Sequence, residues 1–141
     1  MRIVWLPILL ISIVFTALPA RAQEQTDLAK ALVGRWEGEF QKEAHDKFDT
    51  KRALIIGGVE QQGEKWILKN VKYAIPGNGA PVDATLEVKD GVPTIEFKTS
   101  AGNPVKLSLE KDGDLVGMTS LRGVHQNSTP VRPMRLKKVS G

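Results

Sequence analysis

The sequence predicts an all-β domain, an eight-stranded antiparallel up-and-down barrel with a short N-terminal helix, following a cleavable leader. Three observations carry this expectation. After residue 33, apolar and polar residues alternate with a period of two in segment after segment. Turn-forming clusters such as Pro76-Gly77-Asn78-Gly79, Asp90-Gly91 and Lys111-Asp112-Gly113 separate these segments. Strands therefore recur about every 10 to 14 residues with no helical stretch between them, the pattern of a meander and not of a parallel sheet. Closing eight strands with one apolar face into a barrel removes the exposed edges. A β-sandwich is the alternative.

The leader comes first. Arg2 is followed by an uncharged, nearly all-apolar stretch over residues 3–18, and Ala20-Arg21-Ala22 has the small-x-small pattern of a signal-peptidase site before Gln23. The apolar run is shorter than the roughly 20 residues needed to cross a bilayer core of about 30 Å. A cleaved signal peptide over residues 1–22 and a single domain over residues 23–141 are the expectation, with a periplasmic or secreted location and no membrane span after cleavage. Cysteine is absent from the sequence. The domain must then be held by burial and hydrogen bonding, and thiol catalysis and thiolate metal sites are excluded.

The elements follow in order. Thr26 is placed to cap a short helix over residues 27–33, with 23–25 as a loose N-terminus. Strand one covers 34–41, with Trp36, Gly38 and Phe40 on one face. After a polar connection over 42–49, strand two covers 50–60, where Gly57-Gly58 signals a bulge or bend. Strand three covers 65–75. Trp66 and Tyr73 have opposite parity on it, so only one faces the interior unless a bulge intervenes. Strand four, 81–89, turns inward Val82, Ala84, Leu86 and Val88. Strand five, 92–99, turns inward Ile95 and Phe97, and strand six Val105, Leu107 and Leu109. Strand seven covers 114–122, with Leu115, Gly117, Thr119 and Leu121 on one face. Strand eight covers 130–139, with Met134 and Leu136 on one face.

The start of this domain resembles the lipocalin/calycin superfamily, and most of all its abbreviated bacterial lipocalin-like exported domains. The likeness lies in a short helix running straight into Gly34-Arg35-Trp36, a Gly-x-Trp, and in the eight-strand meander behind it. The Thr-Asp-Tyr motif of typical lipocalins and their disulfide are missing, as is a terminal helix after the last strand. The resemblance implies that Trp36 closes one end of the barrel beneath a basic side chain of the last strand. Arg135 is the positional candidate, and a guanidinium over an indole is worth about 0.5–2 kcal/mol.

The charge balance bears on partners. The sequence has 20 Lys+Arg and 16 Asp+Glu, and losing Arg2 and Arg21 with the leader leaves 18 against 16, so the pI of 9.4 overstates the basicity of the mature domain. The last acidic residue is Asp114, and Arg122, Arg132, Arg135, Lys137 and Lys138 follow it. This basic C-terminal strand is a solvated face, or else a patch for an anionic partner. No basic run is interleaved with aromatics, so nucleic acid is not expected.

Chemistry-bearing motifs are few. His45-Asp46-x-x-Asp49 has one imidazole and two carboxylates, but a solvated loop is the expected reading and no metal or other cofactor is assigned. There is no Gly-x-Ser-x-Gly, His-Glu-x-x-His or phosphate-cradling loop, so no catalytic residues are assigned and the chain is not expected to be an enzyme. Asn127-Ser128-Thr129 fits a glycosylation acceptor in a eukaryotic host. The leading expectation is an exported module that binds a small apolar or amphipathic molecule. Its lumen would be lined by Leu54, Ile56, Tyr73, Leu86, Phe97 and Leu107. Few aromatics, together with Gly38, Gly117 and Ala84 inward, suggest unfilled space. The alternative is a structural or interaction protein with a packed interior, acting through its outer surface. A pocket below about 300 Å³ favours that alternative.

Overall fold

The computed structural model describes residues 18–44, 47, 49–120 and 131–140, with no account of the side chains of 18–22 and 140. The part of the expected signal peptide before Leu18, His45 and Asp46 of the metal-like stretch, and the segment carrying Arg122, His125 and Asn127-Ser128-Thr129 lie outside these residues. Among the described residues no helix is long and apolar enough to cross a membrane.

One helix, α1 (Leu18–Leu32), precedes eleven strands. These are β1 (Gly34–Phe40), β2 (Lys51–Ile56), β3 (Gly58–Gln62), β4 (Lys65–Lys69), β5 (Lys72–Ala74), β6 (Ala80–Pro81), β7 (Thr85–Lys89), β8 (Val92–Lys98), β9 (Pro104–Leu109), β10 (Leu115–Ser120) and β11 (Val131–Ser140). All eleven lie in one curled sheet of order β3-β4-β7-β8-β9-β10-β11-β1-β2-β5-β6, and every recorded pairing is antiparallel. A sandwich needs two sheets, so that alternative falls away.

Two expectations are corrected here. The helix starts at Leu18, not Asp27, so Thr26 lies inside it and not at its cap. Its added turns consist largely of Ala, Arg, Gln and Glu, all good helix formers. The strand count is eleven, not eight, because three of the expected strands are each broken in two.

The most consequential break pairs Gly57 with Asn70. Before it, Leu54 and Ile56 point inward from even positions; after it, Val59 points inward from an odd one. The partner strand reverses in the same place, from Leu68 to Val71 and Tyr73. Asn70 takes a left-handed φ of 52°, and the Gly57 amide donates to the Lys69 carbonyl across the break at 3.0 Å. A Cβ on Gly57 would lie 2.8 Å from the Asn70 Cβ, so a side chain there forces the strands apart. This bulge resolves the parity conflict on the third expected strand. Trp66 pairs with Leu86 and packs half-buried against the core, while Tyr73 pairs with Leu54 and is buried. Both face inward.

The core is a single cluster. It includes Trp36, Phe40, Leu54, Ile56, Ile95, Leu107, Leu115, Met134 and Leu136, each at most 2% exposed. The inward glycines do not leave the expected void. A Cβ on Gly38 would fall on the Arg135 carbonyl, and one on Gly117 on the Lys106 carbonyl. Neighbouring backbone occupies that space, and the missing side chains let the sheet curl this tightly. Asp90-Gly91 makes its hairpin as expected, with φ of 52° and 76° at the two positions, the left-handed pair that a two-residue type I′ turn requires.

Gly38→Ala and Gly117→Ala are each expected to destabilise the fold by about 2 kcal/mol or more, since strand backbone must move. Gly79→Ala, whose Cβ would meet only the Lys72 side chain at 3.4 Å, should stay within about 0.5 kcal/mol of the parent. Urea denaturation of the three variants checks this.

Candidate functional site at the end of the barrel-like sheet

Strand β1 sets the axis of the interior. Its inward residues run Trp36, Gly38, Phe40, so the two aromatic rings mark levels about 13 Å apart at roughly 3.3 Å per residue. The two levels are built differently.

The Trp36 level is shut. The last carbonyls of a helix have no partners within it, and here side chains of the sheet supply them. The Trp36 indole N–H donates to the Leu32 carbonyl at 2.9 Å, and Lys138 Nζ donates to the carbonyls of Lys30 at 2.9 Å and Ala31 at 3.4 Å. The same ammonium lies 5.8 Å from the centre of the Trp36 ring. A cation at this end also meets the negative pole of the helix. The partner of Trp36 is therefore Lys138, not Arg135. Arg135 points outward, where its guanidinium meets Asp114 at 2.8 Å, Asp112 at 3.3 Å and Glu110 at 3.6 Å. The reason is parity: 138 shares the inward face of Met134 and Leu136, and 135 does not. Asp112 is held below its usual carboxyl range by the Asp114 backbone amide, with Arg135 adding to the effect.

Of the other cations on β11, Arg132 is buried, 3.5 Å from Glu43, and donates to the Gln41 carbonyl at 3.4 Å. Lys137 is exposed on the outer wall opposite Glu37. The described basic residues of this strand are thus mostly engaged within the fold.

The Phe40 level is open. A recess of about 270 Å³ lies there, bounded by Phe40, Arg52, Tyr73, Asn78, Ser100 and Thr119 among others. Arg52 pairs with Gly38 and so has the inward register of Leu54 and Ile56. Its guanidinium sits 4.9 Å from the centre of the Phe40 ring, and Nη1 donates to the carbonyls of Asp49 at 2.7 Å and Lys51 at 2.6 Å. Tyr73 forms the floor. Its ring meets Phe97 edge-on at 4.8 Å between centroids, and its hydroxyl donates to Met134 Sδ at 3.8 Å. Burial pushes the Tyr73 hydroxyl up to about 12, against the pull of the neighbouring Arg52 guanidinium.

The six residues expected to line a lumen are all buried in the one core cluster. Leu54, Ile56, Leu86 and Leu107 pack there against other core side chains. Tyr73 borders the recess, and Phe97 backs it. Sequence reasoning missed Arg52, Phe40 and Lys138 as site residues. The signal for each was its parity: a charge in register with Leu54 and Ile56, an aromatic in register with Trp36, a lysine in register with Leu136.

Comparison of the chain with protein-family models, with curated proteins and with solved structures finds no match.

Two outcomes follow from this geometry. Lys138→Met should lower stability by about 1–2 kcal/mol, because it removes both the cation on the helix end and the contact with Trp36. Arg135→Met, which breaks only exposed ion pairs, should lower it less. Thermal melts of the two variants decide between 138 and 135. Tyr73 is the only tyrosine in the chain, so tyrosinate absorbance reports it alone. Its ionisation is disfavoured only in the folded state. The associated stability is complete below the ordinary value near 10 and is lost as pH rises toward about 12. The folded protein should show no tyrosinate signal at pH 10, and a midpoint there would place the hydroxyl in water.

Proposed function

We propose that this chain is an exported, lipocalin-like binding module whose ligand sits in the recess at the Phe40 end and not deep in a lumen. The barrel reading rests on treating β2 with β3, β4 with β5, and β6 with β7 as three bent strands. That gives eight, and the pairings then run from each strand to the next, with β11 returning to β1. The Gly57 amide and the bond from Val82 N–H to the Val71 carbonyl bridge two of the breaks. The helix entering Gly34-Arg35-Trp36 supports the same family reading, and the 1–22 leader supports export.

The observation that carries the reading is the division of the interior. The interior is filled by one cluster of side chains at most 8% exposed, whereas the end recess combines aromatic walls with a cation and several hydroxyl and amide groups. At about 270 Å³ the recess is below the range of drug-sized ligand sites. That size favours the packed-interior alternative for the lumen and suits a site for a small amphipathic molecule at its end.

A second reading has its own observation. The outer wall of β7 to β10 bears an open groove of about 710 Å³ bordered by Glu96, Lys106 and Met118, with Met118 43% exposed. A partner protein on this wall is the interaction-protein alternative.

Native mass spectrometry, compared with the denatured mass, tests the division. The protein should carry no long-chain fatty acid, and added palmitate should leave the tryptophan emission unchanged. Stoichiometric palmitate with a tryptophan response would mean that the lumen opens, and the proposed division would be wrong.

A further inference from the structure

We propose that the recess at the Phe40 end binds a small organic monocarboxylate with a compact apolar or aromatic body, and that Arg52 recognises its charge. The inference rests on that recess being the binding site.

The first argument is the company Arg52 keeps. Among the arginines whose side chains the structure describes, Arg35 has Glu37 at 2.6 Å, Arg132 has Glu43, and Arg135 has three carboxylates. Arg52 has no carboxylate within ion-pairing distance among the described residues. Yet it is half-buried on the inward face, held against Phe40 and beside Tyr73. A guanidinium held in place at the rim by backbone and ring contacts, with no described carboxylate beside it, is available to a ligand's carboxylate. The two backbone carbonyls that hold Arg52 use Nη1 alone. A guanidinium has five N–H donors, so donors remain for an acceptor, and its planar fork matches a carboxylate.

The second argument is the rest of the wall. Among the described residues, Arg52 is the only charged one bordering the recess, and no described acidic side chain borders it. One positive charge neutralises one negative charge. A phosphate dianion or a dicarboxylate would bring a second charge into a site with no second cation among the described residues. Phe40, Tyr73, Ala74 and Ile75 give an apolar surface for the ligand body, while Asn78, Thr99 and Thr119 offer hydrogen bonds. The third argument is size. About 270 Å³ suits a single ring or a short branched chain and excludes a long acyl chain.

Calorimetric titration of the full chain with benzoate, and with benzamide as its uncharged counterpart, tests the assignment. Benzoate is expected to bind at least tenfold more tightly than benzamide. Arg52→Gln should lose at least tenfold in benzoate affinity and leave benzamide within twofold. Because Arg52 also anchors the 49–51 backbone, Ala101→Glu provides a second variant. Ala101 is exposed on the recess rim, and a carboxylate there should likewise displace benzoate but not benzamide. Amide chemical shifts of Ala74 and Ala101, followed during titration, report whether either ligand enters the recess. Equal binding of the two ligands at the recess would overturn the carboxylate assignment and keep the recess as the site. Binding of neither would overturn both.

Discussion

The junction of α1 with the sheet rests on one set of hydrogen bonds, those that satisfy the end of α1. A helix whose last carbonyls face a protein interior is unstable unless donors reach them. Trp36 and Lys138 supply those donors from β1 and β11, which pair with each other in the sheet. The contact fixes three things at once. It docks the helix end, places the indole as a plug at one end, and ties the helix to both the first and the last strand. At that end the aromatic plug is fully buried.

Curvature is the second constraint. At Gly38 and Gly117 neighbouring carbonyls occupy the place of a side chain, so the sheet bends more tightly there than L-residues with a Cβ allow. At Gly57 and Asn70 the strands reverse which residues face inward. That reversal puts Trp66 and Tyr73 on the same side of the sheet despite their opposite parity. Without it Tyr73 would point to solvent, and the recess would lack its floor. The features that read as weak points in the strands are thus the ones that shape the interior.

The filled core decides where chemistry can occur. The leucines and the isoleucine expected at a lumen are buried together in one core cluster. The polar groups collect at the Phe40 level, where β1 and β5 end and β2 begins, and the turns after β5 and β8 form the rim. Arg52 shares the inward register of its apolar neighbours but sits at that edge, so its charge keeps access to water. This is a common arrangement for a specific polar contact, with a rigid packed scaffold behind it and turns around it.

Much of this was legible in the sequence, because period-two alternation and turn chemistry are local. The antiparallel strands, the Asp90-Gly91 hairpin and the buried Trp36 follow from residues near one another in the chain. Alternation also carried the inward register of Phe40, Arg52 and Lys138, though a charged residue in an apolar series is easily taken for a solvated one. The choice of Lys138 over Arg135 beside Trp36 depended on contact between the two ends of the chain. The reversal at Gly57 and Asn70 depended on two strands bulging together. Whether Gly38 and Gly117 left space or closed it depended on the path of a neighbouring backbone. Each of these involves residues far apart in sequence, and composition and periodicity are blind to such distances. The sequence by itself determined the class of structure and which faces are buried. The tertiary structure alone decided that the predicted lumen residues pack in one buried cluster and that Arg52 borders a recess at the Phe40 end.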